Sequence, residues 1–143
     1  MSYVDVGQLP LILKKNADRF NGWEDINQEG VTVAAILGTT QEQYVKSFFP
    51  KAKHAIVEAP ATDFSEVLSG RADVHITSNI AAYKLIGKYP QMMIVPVGHA
   101  RARTPLAILL PQADQVWINY VNHWISLQKA RGLFDKLSAK WGL

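Results

Sequence analysis

Between residues 31 and 97 the chain alternates short apolar runs with stretches that open on a helix cap, and this alternation constrains its fold more than any other feature of its 143 residues. Val31-Thr32-Val33-Ala34-Ala35-Ile36-Leu37 is nearly continuous apolar and rich in β-branched side chains, as suits a strand buried on both faces. Gly38-Thr39-Thr40 breaks the run, and a helix is predicted from there to about Phe49. Thr39 with Glu42, or Thr40 with Gln43, has capping-box spacing; Tyr44, Val45, Phe48 and Phe49 form an apolar side, and Pro50 ends the helix. The unit then repeats: a strand at 54–58, a helix at 63–68, a strand at 73–77, a helix at 79–88 and a strand at 92–97. A β-α-β-α-β run with short connections predicts an α/β fold, a small parallel-core sheet with helices on both faces.

The flanks read differently. Residues 10–15 suggest a strand, 16–22 a polar connection, and Trp23-Glu24-Asp25-Ile26 a helical turn stopped by Gly30. Near the other end, 104–110 reads as a strand closed by Pro111, and 113–129 as a long helix with Trp117, Tyr120, Val121, Trp124 and Ile125 at helical spacing. A last helix over 133–141 carries Leu133, Phe134, Leu137 and Trp141 on one side. With no linker, repeat or low-complexity segment, one domain over 1–143 is expected.

Composition removes several classes of function. There is no cysteine, so disulfide frameworks, Cys-ligated metals and thiol nucleophiles drop out. A net charge of +3 falls short of a nucleic-acid-binding face. No apolar run has the length of a membrane span, and Met1–Val6 has neither the basic nor the apolar region of a signal peptide. His54, His75, His99 and His123 are scattered without a ligand-spaced partner, so neither a metal nor a cofactor is expected.

Taken in order, the chain has Tyr3…Gly7-Gln8, a strand, a Trp-Glu-Asp-Ile turn, a strand ending in Gly38-Thr39-Thr40, and Gly70-Arg71-Ala72-Asp73 before another strand. Ala81-Ala82-Tyr83 and Ala130-Arg131-Gly132-Leu133-Phe134…Trp141 follow. This order and spacing resembles the extracellular solute-binding proteins of the polar amino-acid class, which have the type 2 periplasmic-binding fold; the cyclohexadienyl dehydratases are an enzyme branch on that scaffold. The resemblance covers essentially the whole chain. It implies two lobes, of which residues 23–97 correspond to a complete second lobe. Residues 1–16 and 98–143 correspond to crossing strands and C-terminal helices that belong to the hinge and lobe one. Two origins follow: a natural half-protein starting at Met1, cytoplasmic as encoded, or a piece of a longer secreted parent, which would be periplasmic.

Open α/β sheets bind ligands beyond the carboxyl ends of their strands, and helix N-termini attract anions. Gly38, Thr39 and Thr40 occupy such a place, and the resemblance implies that Thr39 and Thr40 hold a ligand carboxylate; the alternative is that the threonine is a plain N-cap. Thr77, Ser78 and Asn79 end a second strand, roughly 5 Å away if the two strands are neighbours. The resemblance puts an aspartate at Ser78, where it grips the ligand's ammonium group. A serine cannot pair with a cation in that way, so a carboxylate without an amine fits better, as does no ligand at all. The dehydratase branch implies an acid in the first helical turn, and Ser78-Asn79-Ile80-Ala81 has none, so general acid catalysis is not expected. The stretch 99–103 reads as a solvated loop, or as one that turns Arg101 or Arg103 toward the cleft to attract anions; Asp73 reads as structural. Trp117, Tyr120, Trp124 and Trp141 predict an apolar stripe to be covered by a second copy or another protein. The sequence therefore points to a non-enzymatic binder of a small anionic or carboxylate ligand, acting as a homodimer. The alternative is an interaction module with a decayed site, and a dehydratase-like enzyme is more distant.

Overall fold

The computed structural model describes residues 1–141, which form six strands and five α-helices. The strands are β1 (Ser2–Leu13), β2 (Thr32–Ile36), β3 (Lys53–Val57), β4 (Val74–Ser78), β5 (Met92–Ile94) and β6 (Arg101–Ala107). The helices are α1 (Thr40–Phe48), α2 (Asp63–Leu68), α3 (Asn79–Lys88), α4 (Gln115–Ala130) and α5 (Leu133–Trp141). The sheet order is β3-β2-β4-β1-β5, with β6 also on β1. β2 runs parallel to β3 and β4, while β1 is antiparallel to β4, β5 and β6.

Side-chain alternation along these strands makes two cores. Val33 and Ala35 of β2, Val74 and Ile76 of β4 and Ile12 of β1 pack with Phe20, Trp23, Ile26, Tyr44, Val45 and Phe49 on one face. Leu9, Leu11 and Leu13 of β1 and Ala34 of β2 pack with Val67, Ala72, Ala82 and Met92 on the other. Helix α1 thus lies on the first face and α2 and α3 on the second, so helices cover both faces as the alternating pattern predicts.

Several expectations need correction. The predicted strand at 10–15 is the end of a twelve-residue strand that begins at Ser2, and it enters the sheet between β4 and β5. β4 and β5 are therefore not neighbours, and the parallel core is β3-β2-β4 alone. The stretch 99–103 is not a loop throughout: β6 starts at Arg101 and pairs with the N-terminal half of β1. Trp23 to Ile26 is a single tight turn closed by an Ile26 N–H bond to the Trp23 carbonyl, and Lys14–Arg19 forms a 3-10 turn where only a polar connection was expected. Gly7 sits at the irregularity in the β1–β6 pairing between Val6 and Gln8, where β4 begins to pair with β1 as well; a Cβ there would lie 2.7 Å from the Ala100 Cβ, so only glycine fits.

The C-terminal helices rest on the start of β1 and on each other. Ile125 is the one buried residue of α4 and α5 has none. Tyr3 meets Phe134, which in turn meets Trp124 edge-on. Trp117 stacks on Tyr120, and both remain exposed, as do Trp124 and Trp141.

Candidate site at the strand ends

At the carboxyl end of β2 the chain turns through Gly38, whose φ of +76° suits glycine, and enters α1. Thr39 is the N-cap: its hydroxyl accepts from the Glu42 N–H at 3.3 Å and donates to the Ile36 carbonyl at 2.7 Å. The Glu42 carboxylate reaches back to accept the Gly38 N–H at 2.7 Å and pairs with Lys46 at 2.6 Å. Lys46 first, and then the Gly38 N–H, hold the Glu42 carboxyl below the usual carboxylate range. An anion at the Gly38 N–H would therefore meet a carboxylate already there, which removes Gly38 as a free donor. The Thr40 hydroxyl is exposed and donates to the Gln41 side chain.

Ser78 and Asn79 have also taken structural duties. Ser78 caps α3 by accepting the Ala81 N–H at 3.2 Å, and the Asn79 side-chain carbonyl accepts the Gly7 N–H at 3.3 Å. Asn79 lines a second cavity with Tyr83 and residues 94–100. Thr39 and Thr77 instead line an open cavity of about 410 Å³ on the α2–α3 face. Ile36, Phe64, Ala81 and Leu85 give its apolar wall, and Gln41, Asp63, His75 and Lys84 add polar groups. Of the six residues expected at the strand ends, Thr39 and Thr77 share one cavity and Asn79 lines another, and all but Thr77 are already engaged in a side-chain hydrogen bond within the chain.

Arg101 and Arg103 do not stand free as anion-attracting groups. Arg101 pairs with Glu24 at 3.1 Å and lies over the Trp23 ring, and Arg103 pairs with Asp5 at 2.9 Å. Asp73 is structural as expected: it accepts the Thr32 N–H and pairs with Arg19. Burial pushes the Tyr44 phenol up, opposed by the Arg101 charge. Among the described residues no three His, Asp or Glu side chains are placed to share a metal ion.

The sequence offers His75 no carboxylate at ligand spacing and reads it as a surface or half-buried residue; the structure instead buries it. His75 on β4 and Asp63 on α2 are both buried, with Nδ1 3.2 Å from Oδ2. In the sequence, Asp63 reads only as a helix cap and His75 as a polar residue in an apolar strand. The one available signal is that His75 falls on an inward position of that strand.

No family model matches the chain. Among solved structures, an ancestral cationic amino-acid solute-binding protein superposes with a TM-score of 0.80 at 38% identity, over 99% of this chain and 60% of that one. The chain has the fold of one lobe of a type 2 periplasmic-binding protein, with its C-terminal segment. An ancestral cyclohexadienyl dehydratase matches this lobe at 37% identity and a TM-score of 0.67, over 99% of this chain and 58% of that one. The cyclohexadienyl dehydratase of Pseudomonas aeruginosa is 27% identical over 139 residues, 97% of this chain and 52% of that protein. The lobe-like chain thus spans about half to three fifths of the length of these relatives. No helix among the described residues is long and apolar enough to cross a membrane.

Proposed function

We propose that this chain is a non-enzymatic binding lobe for a small carboxylate-bearing solute without an amine, and that it works as a homodimer. The observation that carries the reading is the meeting of Thr39 from the β2–α1 turn and Thr77 from β4 in one cavity at the carboxyl ends of parallel strands. Likeness to an amino-acid solute-binding protein supports a small-molecule ligand. Ser78 argues against an ammonium group, because it is neutral and already caps α3. The bare aromatic face of α4 and α5 supports association.

Similarity to dehydratases favours a second reading, an enzyme. Against it, the first turn of α3 reads Asn79-Ile80-Ala81 and supplies no carboxylate for general acid catalysis. A thermal-shift panel separates these readings from a decayed site. A ligand at ten times its Kd adds about 1.4 kcal/mol, enough to move the midpoint by a few degrees. Amine-free carboxylates should raise the midpoint more than lysine or arginine does. A larger response to the amino acids would reject the amine-free assignment, and no response to either would reject the binding reading.

A further inference from the structure

The cavity between α2 and α3 has a floor that the strand-end threonines do not explain. His75 projects from β4 and Asp63 from the start of α2, and both are more than nine-tenths buried while lining the cavity. Asp63 Oδ1 accepts the Phe64 N–H at 3.0 Å, and Oδ2 lies 3.2 Å from His75 Nδ1. That pair is close but not aligned, so Nδ1 is sealed from solvent without a hydrogen bond. Phe64 meets the imidazole edge-on at 6.3 Å. At the rim stands Lys84, exposed and in no ion pair among the described residues.

In the neutral ring these placements favour one tautomer. If Nδ1 of the neutral ring carried a lone pair, it would face a carboxylate oxygen at 3.2 Å with nothing between them. Repulsion of that kind in a dry setting is costly, so the proton belongs on Nδ1, where a small ring rotation lets it reach Asp63. The other nitrogen, Nε2, is then an acceptor. Because Nδ1 is sealed, the Nε2 edge is the one the cavity can reach. An acceptor facing an apolar-walled cavity selects a ligand that brings a donor, since a ligand that displaces its water without replacing the hydrogen bond loses that bond.

We propose that the Asp63–His75 pair makes this cavity selective for small carboxylates whose apolar body carries a hydroxyl: His75 Nε2 accepts the hydroxyl proton, Phe64 and Leu85 cover the body, and Lys84 holds the carboxylate. The inference rests on the reading of the cavity as a solute site. About 410 Å³ accommodates a single-ring acid. Asp63 acts as a positioning residue that orients the imidazole.

The probes are 4-hydroxybenzoate, benzoate and phenol, titrated at pH 8 and followed by amide and imidazole nitrogen shifts. 4-Hydroxybenzoate should bind about tenfold more tightly than benzoate, the worth of one hydrogen bond to a buried acceptor. The free protein should show the Nδ1–H form of His75, and Nε2 should shift with 4-hydroxybenzoate but not with benzoate. His75→Gln should erase the preference for the hydroxyl. Lys84→Met, an exposed change, should weaken both acids and leave phenol alone. An Nε2–H tautomer, or equal binding of the two acids to the native chain, overturns the inference while shifts at Thr39 and Thr77 preserve the binding reading. No saturable shift at any of these residues overturns both. If His75→Gln does not fold, the tautomer and the ratio of the two acids in the native chain still decide.

Discussion

Glu42 shows how one side chain can turn an expected binding loop into a structural one. Its carboxylate occupies the position at Gly38 where an anion would sit, held by Lys46 and the Gly38 N–H. Because these partners lower its pKa in the folded chain, Glu42 stabilises the fold above the ordinary carboxylate value, and the contribution disappears as pH falls through the lowered one. Glu42→Gln should therefore lower the thermal midpoint at neutral pH, and the gap from the native chain should close in acid. Melting curves from pH 3 to pH 8 check this; a gap that stays constant across the range would mean that the charge contributes nothing. The Thr39–Glu42 cap is readable from spacing alone. That the carboxylate takes the N–H of Gly38 is not, because it depends on the backbone turning through a positive φ there.

At the scale of elements, the sequence reveals most where local chemistry decides. Helices α2, α3 and α5 begin and end where their caps, glycines and prolines indicate. The long β1 is different: it contains Gly7 and Pro10 and changes neighbours along its length, so its extent depends on partners far away in the chain. The Asp63–His75 pair was hidden for the same reason, since a helix start and a strand interior twelve residues apart meet only once α2 lies across the sheet. Helix α4 is attached chiefly by Ile125, its one buried residue. Ile125→Ala should cost about 2–5 kcal/mol locally and release α4 and α5 before the sheet. Hydrogen exchange should then show lost protection confined to residues 115–141. Equal loss across β2 and β4 would show that the helices and the sheet unfold as one unit.

For the whole molecule, the two halves of the chain differ in how well they are covered. The β2-to-β5 region buries two side-chain layers, whereas Val116, Trp117, Tyr120, Trp124, Leu137 and Trp141 remain exposed. Each large apolar side chain moved out of water is worth about 1.5–3 kcal/mol, so covering several at once would offset the ordering costs of the proposed dimer. Sedimentation velocity on the 143-residue chain should find a dimer at tens of micromolar, and Trp124→Glu should shift it to monomer. A native chain that stays monomeric at high micromolar concentration would contradict the dimer. If the lobe supplies about half the contacts of a micromolar site, it retains about −4 kcal/mol, and the proposed monomer affinity is near millimolar. The measurement that bears most directly on the central claim is a crystal soaked in a small amine-free carboxylate such as benzoate. Ligand density in the cavity bounded by Thr39, Gln41, Thr77 and Lys84 is the predicted result; density confined to other surfaces at saturating concentration would contradict it.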